Sequence, residues 1–135
     1  MEKWKKILLW TSGGILLCAA GLIGLIFVLF FEMCGNEIYK EYLSPNGSLK
    51  AVVFQRDCGA TTGFSTQISI IKRNAMVANK AGNVFISDGH PRDTSPIVTW
   101  LSDSELEISK NGAVPVYKLK KAWGWFWKKV KVTYK

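Results

Sequence analysis

From Ile7 to Phe31 the chain reads "ILLWTSGGILLCAAGLIGLIFVLFF", a run without a charged side chain. A helix over residues 7–31, rising about 1.5 Å per residue, is longer than the roughly 30 Å of bilayer hydrocarbon, so the pattern predicts a transmembrane helix. Charges return at Glu32, and the apolar period shortens. "SLKAVVFQ", "STQISIIK", "NVFIS", "PIVTWLS", "ELEIS", "VPVYKLK" and "KKVKVTYK" are short runs rich in β-branched and aromatic residues, about seven strands in all. In the second of them, Ile68 and Ile70 fall on one face and Gln67, Ser69 and Ile71 on the other; in the last, Val130, Val132 and Tyr134 alternate with Lys129, Lys131 and Thr133.

Turn signals separate the runs. In "SPNG", Pro45 presets one backbone angle while Asn46 and Gly47 tolerate positive φ; Asp103 and Ser104 break "PIVTWLS" from "ELEIS" as in a hairpin. The expected fold is mainly β: an N-terminal transmembrane helix followed by a small antiparallel β-sheet or sandwich domain. Its organisation is a cytoplasmic N-terminus over residues 1–6, the helix over 7–31, a juxtamembrane stalk over 32–43 that could also be a short helix, and a β-rich extracytoplasmic domain over 44–135. "NAMVANK", Asn74 to Lys80, is the other stretch a helix could claim.

Charge sets the orientation. Lys3, Lys5 and Lys6 precede the span, whereas Glu32, Glu37, Lys40 and Glu41 follow it, so the N-terminus is expected inside and the rest outside, at an inner or plasma membrane. A cleaved signal peptide competes with an anchor, but the apolar run is long for one and ends "FVLFFEMCG", without small residues at a cut; Glu32 and Met33 are also poor neighbours for lipidation of Cys34. An uncleaved anchor is the favoured reading. Gly13, Ala20 and Gly24 recur at helical spacing, which would permit weak homodimerisation through the helix.

Cys18 lies in the apolar run, where a thiol behaves as a small apolar group. Cys34 and Cys58 lie on the side expected to be oxidising, and a Cys34–Cys58 disulfide follows from that placement; it would clamp the domain against the anchor. Catalysis is the alternative use of Cys58: with His90 and Asp93 it could form a thiol-dependent hydrolase or transferase. "SDGHPRD", however, is a turn sequence that explains its own residues. One histidine and no paired-ligand spacing leave too few donors for a metal, and no phosphate loop or dinucleotide fingerprint occurs, so no cofactor is expected.

"SPNGSLKAVVFQRDCGATTGFSTQISI", with "VTWLSDSELEIS" downstream, resembles a family of small uncharacterised bacterial proteins that carry an N-terminal membrane segment or lipoprotein signal and a domain of unknown function. "DCGATTGFSTQ" is the most specific block. The resemblance implies a protein of the bacterial envelope and carries no activity or catalytic residue with it. Within the block, Thr61, Thr62, Ser65 and Thr66 with Arg56 could form a small polar or anion pocket; alternatively the hydroxyls satisfy backbone groups freed by a tight bend.

The net charge is +8, and from Lys110 onward there are eight lysines and no acid, interleaved with "AWGWFW". In the cytosol such a mixture would suit nucleic acid, a partner the expected topology removes. Outside, Trp123, Trp125, Phe126 and Trp127 with Lys128 and Lys129 form a candidate interaction surface for an envelope protein or an anionic lipid surface. The plainer reading is a hairpin whose inward rings pack a core while lysines guard an edge strand. Four large residues in a row cannot all point inward from one strand, so some must be exposed.

Overall fold

The computed structural model describes the chain except for Glu32, Ala60, Thr61 and Asn111 and the side chain of Phe31. It comprises two units, Met1–Met33 and Cys34–Lys135. The first is one α-helix, α1 (Glu2–Phe31), of 30 residues, about 45 Å long. It is apolar all round and none of its described side chains is buried, whereas a helix of a soluble fold hides one stripe. Its hydroxyls are satisfied locally: Thr11 Oγ1 donates to the Ile7 carbonyl at 2.9 Å and Ser12 Oγ to that of Leu9 at 3.1 Å, the economy that a hydrocarbon environment demands. By length and composition α1 can cross a membrane.

Among the described residues, the second unit is built from nine strands in two sheets. Strands β1 (Gly35–Leu43), β2 (Leu49–Asp57), β3 (Ser65–Lys72), β4 (Phe85–Asp88) and β7 (Val116–Leu119) form one, in that order and antiparallel throughout. The other runs β5 (Ile97–Ser102), β6 (Glu105–Ser109), β9 (Lys128–Tyr134), β8 (Ala122–Trp125). The mainly-β expectation holds, with two strands more than the hydrophobic pattern marks.

Residues 35–43 are neither stalk nor helix. They are β1, paired with β2 from Gly35↔Asp57 to Leu43↔Lys50, with a bulge between Ile38 and Lys40. An all-antiparallel sheet is not what forms on the other side either: β6 and β9 are parallel, Glu105 beside Lys131 and Ile108 beside Tyr134. The chain leaves that sheet after β6, adds β7 to the first, and returns through the β8–β9 hairpin, so β9 re-enters in the direction of β6.

One core fills the space between the sheets. Leu49, Ala51, Val53, Ile68 and Ile70 face Val98, Leu106, Ile108, Val130 and Val132, all at most 4% exposed, each strand giving its alternate residues. The opposite face of the first sheet is covered too. Val52, Phe54, Gln67 and Ser69 are buried there, beneath the connection 73–84. That connection includes the "NAMVANK" stretch, which is irregular rather than helical. It is stitched down by hydrogen bonds: the Gly82 amide donates to Gln67 Oε1 at 2.6 Å, the Asn83 amide to Ser69 Oγ at 3.1 Å, and the Asn83 side chain joins both backbone groups of Ile70 at 2.8 Å. A side chain at Gly82 would collide with the Phe85 carbonyl 2.8 Å away, so only glycine lets the cover lie this close.

Tyr134 fastens the sheets to one another. Its ring stacks on Phe85, centroids 6.1 Å apart, and its hydroxyl donates to the carbonyls of Lys120 (2.7 Å) and Val84 (3.0 Å). Burial pushes its pKa up to about 12. The Cys34–Cys58 disulfide (S–S 2.02 Å) lies within the β unit, flanking the Gly35↔Asp57 pair, so it staples edge strand β1 to β2 rather than clamping the domain to the helix.

Two outcomes are expected in denaturation of the detergent-solubilised full chain. Replacing Cys34 and Cys58 together with alanine lowers the unfolding free energy by about 3 kcal/mol, and amides of β1 lose hydrogen-exchange protection before those of β3. Tyr134→Phe costs about 1 kcal/mol at neutral pH. A phenol held neutral in the fold contributes fully below its unfolded pKa near 10 and loses that contribution as pH rises through about 12, so wild type and variant converge across that window.

Candidate functional site

The thiol constellation is not assembled. Cys58 Sγ is bonded to Cys34 and is no thiolate nucleophile. His90 caps the short helix α2 (Pro91–Thr94): its Nδ1 accepts the Arg92 amide at 3.0 Å, and its ring meets Phe64 edge-on at 5.8 Å. Asp93 sits in the first turn of α2. Cys18 is the free cysteine. No cluster of His, Cys, Asp or Glu suited to a metal occurs among the described residues.

Nor do the described hydroxyls of the glycine-rich bend converge on a pocket. Thr62 Oγ1 donates to the Gly59 carbonyl at 3.2 Å, and Ser65 Oγ to that of Arg56 at 3.3 Å while accepting from Gln67 Nε2. Thr66 is buried on the inner face, where it donates to the Gly89 carbonyl and touches Thr94 Oγ1, both at 2.8 Å. Thr61 lies outside the described residues. Arg56 turns to the opposite face, donating to Asn36 Oδ1 at 2.7 Å and Asn79 Oδ1 at 3.1 Å. Burial lowers its pKa, and it binds amide oxygens rather than a carboxylate. Asn36 in turn donates to the carbonyls of Ala78 and Lys80. These groups hold the bend and the cover in place, the structural role that local side-chain hydrogen bonds serve.

The β8–β9 hairpin is different. Trp123, opposite Val130, is half-buried against the core. Gly124 follows at φ +109°, where a Cβ would run into the Lys128 carbonyl oxygen, so no side chain fits. Trp125 pairs with Lys128, leaving Phe126 and Trp127 as a two-residue tip. Trp125, Phe126 and Trp127 are 75%, 90% and 95% exposed. Trp125 and Phe126 meet edge-on at 6.0 Å, and with Gly124 and Lys129 they line an open hollow of about 410 Å³. Of the four aromatics, then, one packs and three face solvent.

The surrounding lysines do not guard an edge. β9 is flanked by β6 and β8, and the edge strand β8 contains no lysine. Because β6 and β9 are parallel, glutamates of β6 stand beside lysines in and just after β9: Lys131 meets Glu105 at 3.1 Å and Lys135 meets Glu107 at 2.9 Å. Such exposed pairs contribute about 0–1 kcal/mol each; their larger effect is to neutralise that flank. Lys128 Nζ donates to Ser48 Oγ at 3.2 Å. Ser48 precedes β2, at the end of the sheets where β1 finishes, whereas Cys34 precedes β1. The tip and Cys34 therefore lie at opposite ends of β1, whose nine residues span roughly 25 Å. Sequence reasoning misses Glu105 as a neighbour of the hairpin, since only the parallel pairing of β6 with β9 brings it there; Lys121 borders the hairpin by directly preceding β8.

No protein-family profile, curated protein or solved structure matches the chain.

Gly124→Ala is expected to destabilise the full chain by more than about 1 kcal/mol, as a side chain forced into positive φ against a carbonyl must. Replacing Trp125, Phe126 and Trp127 together with alanine should change stability by less than about 0.5 kcal/mol, because exposed groups contribute little to the fold; chemical denaturation monitored through Trp123 distinguishes the two.

Proposed function

We propose that the chain is a single-pass membrane protein of the bacterial envelope that displays its β-domain outside the cytoplasm and acts by contact through the β8–β9 hairpin. The observation that carries this is the pairing of α1, apolar on every side with no described side chain buried, with a disulfide-stapled β unit. Disulfides persist in oxidising compartments, and the lysines before α1 favour a cytoplasmic N-terminus; both support the same orientation. Display suits the rest of the molecule. Cys58 is consumed by the staple, the hydroxyls of Thr62, Ser65 and Thr66 bind backbone, and three aromatic rings project where no fold requires them. The helix holds the domain at the membrane, the staple fixes its first strand, and the tip supplies contact area.

In bacteria expressing the full chain, alkaline carbonate should leave it in the membrane pellet, and protease added to spheroplasts should remove the β-domain. Alkylation without reduction should label Cys18 alone after denaturation. Extraction by carbonate, protection from protease, or labelling of Cys34 and Cys58 overturns the proposal.

A further inference from the structure

We propose that the β8–β9 tip docks on an anionic phospholipid surface, with Trp125, Phe126 and Trp127 entering the interface and Lys121, Lys128 and Lys129 meeting lipid phosphates; this names the partner for the contact surface proposed above. Shape is the first argument. A two-residue turn carrying rings 90% and 95% exposed is convex, and a fluid interface accepts such a projection without a matching pocket, whereas a protein partner must supply one. Tryptophan is the side chain that settles at the headgroup level.

Charge is the second argument. Beside the aromatic hollow lies another of about 460 Å³, lined by Lys121, Lys129, Lys131, Ser104, Ala122 and Glu105. Lys129 borders both, so an apolar insert and a cationic recess adjoin. The acids at this end are already engaged: Glu105 with Lys131 at 3.1 Å, and Asp103 with the Asn46 amide at 2.8 Å. No acid occurs between Lys110 and Lys135. Insertion of rings into the interface brings the ammonium groups to phosphate depth, where each adds attraction to an anionic leaflet.

The test uses the full chain kept soluble in a non-ionic amphipol, co-sedimented with phosphatidylcholine vesicles with or without phosphatidylglycerol. At low salt, wild type should partition at least about tenfold more strongly onto the anionic vesicles. K121Q/K128Q/K129Q should fall to the phosphatidylcholine level, and W125A/F126A/W127A should lose about tenfold on both compositions. α1 contributes equally to every variant, so the differences report the tip. Equal partition of wild type onto both compositions overturns the proposal and leaves a protein as the occupant. Undiminished binding by the aromatic variant overturns it also, reducing the effect to diffuse charge attraction. Neither result touches the carbonate and protease outcomes, so the partner can fail while the anchored display stands.

Discussion

Burial of alternate aliphatic side chains between two sheets is the interaction on which the β-domain depends. Ile68 and Ile70 can meet Leu106 and Ile108 only if β3 and β6 each present one face inward, and a domain of this size has little core to spare. Every other device shields that core or its borders. The 73–84 connection covers the reverse of the first sheet, Tyr134 ties the carbonyls of Val84 and Lys120 across the seam, and the Trp100 indole donates to the Tyr42 carbonyl at 2.9 Å where β5 meets β1. Trp123 closes the side near β8. Trp125, Phe126 and Trp127, just beyond Gly124, have no such duty and stand exposed, whereas the described hydroxyls of the bend around Cys58 are used to hold backbone.

Much of this was legible because its causes are local. α1 follows from an uncharged run, and β2, β3, β5, β6 and β9 from branched or aromatic residues at strand spacing. The inward Ile68 and Ile70 follow from period two. β1 was hidden because "GNEIYKEYL" mixes charges with apolar residues and a bulge after Ile38 breaks its alternation. β8 was hidden because "AWGW" runs into "FWKK" without a polar break, the turn falling on Phe126 and Trp127. The parallel alignment of β6 with β9 belongs to a crossover through β7, and no window of residues encodes it.

Candidate sites divided along the same line. The staple could be anticipated from two cysteines beyond the span, and a turn from "SDGHPRD", though not the capping of α2 by the His90 ring. The fate of Arg56 could not, since its partners Asn36 and Asn79 come from elements twenty or more positions away. The C-terminal lysines looked uniformly available in the sequence; the fold shows Lys131 and Lys135 answered by glutamates and Lys129 bordering two hollows.

The position of the disulfide ties the domain's solubility to the redox state of its surroundings. β1 is the outermost strand of its sheet and, among the described residues, the strand that covers the outer hydrogen-bonding edge of β2. "AVVF", Ala51 to Phe54, is apolar on both faces. Were β1 to peel away after reduction, that edge would become a template for intermolecular pairing, the first step of aggregation. Reduction would therefore open β2 to self-association before the core itself came apart, so the staple guards solubility ahead of stability.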